Sequence, residues 1–179
     1  VIENRFAGAH PAWDTVGAQF AGDVGVYETM KLRLLNGSHS AIAYLGFLMG
    51  HPTVWQATAD PLLRHFVERL MADEIAPTLV APPGVDLAGY CAALVARFRN
   101  TALPHRTQQI AMDGSQKLPQ RLLDTIRDRR RAGAPYTRLA TAVGGWIRYA
   151  SGTDEAGRAI EVADPMRETF ARLAADRKS

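Results

Sequence analysis

Three polar side chains interrupt an otherwise apolar run. Lys31, Asn36 and His39 occur in Lys31-Leu-Arg-Leu-Leu-Asn36-Gly-Ser-His39-Ser, with Leu34 and Leu35 between them and the apolar stretch from Ala41 to Met49 beyond. Burying an unpaired polar group costs roughly 2–7 kcal/mol, so three together need a purpose. Proton transfer by the lysine, supported by two hydrogen-bonding neighbours, supplies one. Burial moves a lysine toward neutrality, where it serves as a general acid–base. An asparagine amide can donate to an oxygen that gains negative charge, and an imidazole can orient a hydroxyl. At 100° per residue, Glu28, Lys31, Asn36 and His39 fall within an arc of roughly 140° on one helix. Gly37 costs a helix roughly 1 kcal/mol relative to Ala, which the close approach of a ligand or a second helix would explain.

The elements that must position these groups are helical. Val1 to Phe6 reads as a short strand, and residues 7–25, rich in Gly, Ala, Pro and Asp, as a loop or linker with a short apolar turn near Val16 to Phe20. A boundary is expected near residue 25. The first helix covers about 26–49 and stops at Gly50. A second begins near Pro52 or Asp60 and ends around Pro77. After the break at Pro82-Pro83-Gly84, Asp86 is a good N-cap for a third helix ending near Phe98. Residues 107–117 form a short helix, Leu118-Pro119-Gln120 opens another through Arg131, and one more covers about 136–151. Gly157 to Asp164 contains a short extended piece, and Asp164-Pro165 starts the last helix.

Composition excludes several classes. The 179 residues are 47% hydrophobic and 22% charged, which are globular values. No apolar run is long enough to span a bilayer, and the N-terminus lacks the layout of a signal peptide. It also lacks an initiator Met, so the chain reads as a piece of a longer protein. Cys91 stands alone, which forbids an internal disulfide and fits a reducing cytoplasm. The formal charge of +3 is too weak to argue for nucleic acid. The Arg127 to Arg131 run reads as a solvated helix end whose cations favour the negative dipole. His10, His51 and His65 read as surface or turn residues, Cys91 as core, and Trp13, Trp55 and Trp146 as packing.

Lys-x4-Asn-Gly-x-His-Ser resembles the signature of the polyol-specific long-chain dehydrogenases, the mannitol dehydrogenase family. The resemblance continues through Gln109-Ile-Ala-Met-Asp113-Gly-Ser-Gln-Lys117-Leu-Pro-Gln-Arg121 and Gly145-Trp-Ile-Arg-Tyr149, covers nearly the whole chain, and points toward the fructuronate reductase (mannonate oxidoreductase) branch. It implies a mainly α fold: the helical, substrate-binding C-terminal domain (26–179) of a two-domain dehydrogenase. Residues 1–25 then form the end of an otherwise absent N-terminal Rossmann domain, together with a linker. NAD(H) would be bound mainly by that absent domain, so these residues alone are not expected to bind cofactor well or to turn over substrate.

The same resemblance implies that Lys31 is the general acid–base, that Asn36 contributes to an oxyanion hole, that His39 holds the substrate hydroxyl and that Glu28 lines a proton path. It also implies that no metal takes part. Gln109 stands where mannitol-type members place an arginine, and Lys117 matches a substrate lysine. Arg106, Gln109 and Lys117 are therefore expected at the substrate. A sugar-acid carboxylate needs a cation, for which Arg106, Lys117 and Arg121 are all candidates. The plainer alternatives are a helix-start acid for Glu28, a salt bridge or cap for Lys117, and turn or packing roles for Arg106 and Gln109. The expected function is NAD-dependent interconversion of a keto sugar acid and its hydroxy acid. A mannitol or other hexitol dehydrogenase is the alternative within the class, and a noncatalytic helical interaction module the alternative outside it.

Overall fold

The computed structural model describes residues 1–176. Strand β1 (Ile2–Glu3) lies parallel to β2 (Phe20–Ala21), with Ile2 opposite Phe20, and a 3-10 turn (Trp13–Val16) lies between them. Ten α-helices follow. They are α1 (Gly25–Met30), α2 (Ser38–Leu48), α3 (Val54–Ala59), α4 (Pro61–Arg69), α5 (Leu87–Phe98), α6 (Thr107–Ala111), α7 (Gly114–Leu118), α8 (Asp124–Arg131), α9 (Thr137–Ala150) and α10 (Arg167–Asp176). The domain is mainly α, as expected.

Local chemistry starts the helices. Asp60 accepts from the Leu62 and Leu63 amides, with Pro61 at the first turn of α4; Asp86 caps α5 through Ala88 and Gly89. Helix α9 is capped from a distance: the carboxylate of Glu74, only 3% exposed, accepts from the Arg138 and Leu139 amides at 2.9 Å each.

Three helical segments are wound more widely than α-helices. Lys31–Gly37 is π-helical between α1 and α2, Leu70–Ile75 continues α4, and Pro119–Leu123 joins α7 to α8. Proline lacks the amide hydrogen that an α-turn uses, so Pro119 sits inside a continuous helix where its sequence context predicts a helix start. The 107–117 prediction is likewise corrected. The chain breaks at Met112-Asp113, where Asp113 takes a left-handed φ of 55° and its amide donates to the Ala163 carbonyl. Helix α10 begins at Arg167 rather than at Asp164, whose carboxylate instead bonds the Ser115 amide and hydroxyl and the Met166 amide.

The core centres on α2, which carries Ala41, Ile42, Ala43 and Tyr44, all essentially inaccessible. Gly46 lets α3 approach closely: a Cβ there would meet the Ala57 methyl at 2.8 Å. The expected solvated run at Arg127 to Arg131 also needs one correction. Arg129 is buried and its Nε donates to the Pro135 carbonyl at 2.9 Å, tying the end of α8 to the loop before α9. No described helix is long and apolar enough to cross a membrane.

Candidate active site

The π-helical winding alters the arrangement predicted for the Lys31 face. A π-turn closes i→i+5 hydrogen bonds, and such turns concentrate at functional sites. Lys31 and Asn36 are five residues apart inside Lys31–Gly37, so the wider winding sets them nearer to one face than an α-helix would. His39 follows one turn later on α2.

The segment is clamped from behind. Arg33 pairs with Asp128 at 2.7 Å and donates to the Thr78 hydroxyl at 2.9 Å. Gly37 lies against the third π-helical segment, Pro119–Leu123, where a Cβ would stand 2.8 Å from the Arg121 carbonyl oxygen. That oxygen is backbone and cannot swing aside, so glycine is required for the approach. The two widened turns, each near chemistry-bearing residues, pack directly on each other.

The site residues differ in exposure. Lys31 is exposed in this chain, which corrects the expectation of a lysine withdrawn from water. Asn36 is half-buried, and its Oδ1 is sealed from solvent with no hydrogen-bond partner. His39 is largely buried against the Phe98 ring at a centroid distance of 4.7 Å, with His105 at 6.5 Å. Burial lowers its pKa from 6.5 to about 4, and the positive fields of His105, Arg97 and Arg121 add to the effect. At neutral pH His39 is therefore uncharged, with one ring nitrogen donating and the other accepting. That is the state suited to holding a hydroxyl.

His105 reaches this position because its loop is sewn to the start of α3. Its carbonyl accepts from the Val54 amide at 2.9 Å, and the Thr107 amide donates to the Pro52 carbonyl at 3.0 Å. This long-range pairing carries no local signal in the sequence.

The other expected site residues are dispersed. Glu28 is exposed on α1. Arg106 and Gln109 are exposed around the start of α6. Lys117 is half-buried, but its Nζ already donates to the Met112 carbonyl at 2.7 Å and lies 3.8 Å from Asp113. By contrast, Arg121 is half-buried beside His39, and its Nη1 donates to the Ser40 hydroxyl at 3.2 Å. No group of three or more His, Cys, Asp or Glu side chains among the described residues could hold a metal ion. The two short strands are joined through a 3-10 turn.

Comparison with known proteins agrees with this arrangement. The family model of the mannitol dehydrogenase C-terminal domain matches residues 23–179. D-mannonate oxidoreductase of Escherichia coli is 52% identical over 97% of this chain and 36% of its own length. Mannitol dehydrogenase DSF1 of Saccharomyces cerevisiae is 40% identical over 95% of this chain and 34% of its own. Among solved structures, Pseudomonas fluorescens mannitol 2-dehydrogenase in a ternary complex with NAD and D-mannitol superposes with a TM-score of 0.90 at 39% identity. That match covers 98% of this chain and 36% of the other. The chain spans about a third of the length of these relatives. On the matched family model and the shared fold, the chain belongs to the mannitol dehydrogenase C-terminal domain family.

Proposed function

We propose that this chain is the acid–base and substrate-holding part of an NAD-dependent oxidoreductase that interconverts a keto sugar acid and its hydroxy acid, fructuronate and mannonate being the preferred pair. The observation that carries the proposal is the π-turn that sets Lys31 and Asn36 nearer to one face, next to a neutral His39. The similarity to D-mannonate oxidoreductase favours the acid over a polyol. Residues 1–25 serve as the end of an N-terminal Rossmann domain and a linker, and 26–179 as the catalytic helical domain.

NAD(H), when bound, supplies or accepts the hydride at the reacting carbon. The orphaned buried Oδ1 of Asn36 fits this chemistry. With its oxygen turned inward, the amide keeps its N–H donors for an oxygen that gains charge as the C5 carbonyl is reduced. Lys31 then gives a proton from Nζ to that oxygen, completing the alcohol. In the reverse direction Lys31 removes the hydroxyl proton, and Glu28 relays it to solvent. His39 holds a neighbouring hydroxyl. The exposure of Lys31 fits a site completed by another domain, which closes over it and excludes water.

A substrate panel tests this function. Full-length protein with NADH should reduce fructuronate with a higher kcat/KM than fructose or tagaturonate. A preference for fructose would assign the chain to the hexitol dehydrogenases. Failure on all three, in folded full-length protein, would favour a noncatalytic helical module.

A further inference from the structure

A half-buried guanidinium without a counter-ion needs an explanation, because a charge taken out of water is stabilised only by a well-placed partner. Arg121 is in that position. Its Nε is sealed from solvent with no hydrogen-bond partner, and its one polar contact is Nη1 to the neutral Ser40 hydroxyl at 3.2 Å. Among the described residues no carboxylate pairs with it. The acids in its neighbourhood are already engaged: Asp164 by the Ser115 and Met166 amides and the Ser115 hydroxyl, Asp113 by Lys117. Other arginines drawn partly out of water have carboxylate partners, Arg33 in Asp128 and Arg138 in Asp73 and Glu74, while Arg129 relies on the Pro135 carbonyl and Arg148 on the Ser151 hydroxyl.

Around the His39 ring the fixed charges are the Arg97 and Arg121 guanidiniums, and no acid is among the groups acting on it. A polyol needs no such field, whereas the carboxylate of a sugar acid does. The other cations considered are less suited. Arg106 is exposed, and the Lys117 ammonium is held by the Met112 carbonyl.

We infer that Arg121 is the residue that recognises the carboxylate of the sugar acid. Its fork of N–H donors matches a carboxylate in two contacts, so its position sets the choice of an acid over a neutral ketose. This rests on the oxidoreductase function proposed above.

The test uses full-length protein and the ratio of kcat/KM for fructuronate to that for fructose, measured for wild type, Arg121→Met and Arg121→Lys. Loss of a desolvated charge partner should lower the ratio about 100-fold in Arg121→Met, mainly through KM for the acid. Arg121→Lys, which keeps the charge without the fork, should fall between the two and guards against misfolding of the methionine variant. A ratio within a few fold of wild type in both variants would overturn the assignment, as would a wild-type ratio near unity. Failure of the underlying function reads differently: folded wild-type protein would then turn over neither fructuronate nor fructose.

Discussion

The carbonyl oxygen of Arg121 stands where a side chain on Gly37 would have to go, 2.8 Å from a Cβ built there. The contact joins the two π-helical turns that carry the proposed chemistry, Lys31–Gly37 and Pro119–Leu123. It links the segment of the proposed proton-transferring lysine to that of the proposed carboxylate-binding arginine through backbone alone.

Gly37→Ala tests this coupling. Alanine favours a helix by about 1 kcal/mol, but displacing a buried backbone carbonyl costs about 1–3 kcal/mol. The variant should be less stable in urea unfolding, and it should lose turnover on fructuronate through displacement of the π-turn. A variant more stable than wild type with unchanged turnover would show that the two turns tolerate separation.

Glu74 holds two elements together from 3% exposure. Its oxygens accept from Arg138 and Leu139 and lie 3.5 Å from the Arg138 guanidinium. Glu74→Leu leaves two amides at the start of α9 without acceptors and should cost about 3 kcal/mol, measured by urea unfolding. A loss below about 1 kcal/mol, the scale of an ordinary cap, would mean that water replaces the carboxylate.

The pH dependence of stability follows from His39. Its pKa falls from 6.5 to about 4 on folding, so between those values the unfolded chain binds the extra proton. Stability therefore rises with pH across this window and is lost as pH falls from about 6.5 toward about 4. Replacing His39 with Asn should flatten the dependence of the melting midpoint between pH 4.5 and 6.5. The groups facing His39, namely Arg97, His105 and Arg121, are left in place. An unchanged slope in the variant would assign the dependence to other groups.

Much of this was legible in the sequence, and the failures have physical causes. Asp86, Asp60 and Gly50 marked real helix boundaries because caps and turns are local devices. The sequence put Lys31, Asn36 and His39 on one helical stretch, but assuming an α-helix throughout missed the wider winding of Lys31–Gly37. Nothing in Leu32 to Leu35 announces a π-turn. Its cause lies outside the segment, in the Arg33–Asp128 pair and the backbone packed on Gly37. Arg121 could not be chosen over Arg106 and Lys117 from the sequence. The preference proposed for it rests on its burial and on the engagement of Lys117 by Met112 and Asp113, contacts made only on folding.

The central claim is that Lys31 moves the proton, and single-turnover and steady-state kinetics of Lys31→Ala in the full-length protein test it most directly. The account predicts that turnover of fructuronate and mannonate falls about 10²–10⁴-fold while NADH affinity stays largely intact. A folded Lys31→Ala protein that reduces fructuronate at a near-wild-type rate would contradict it.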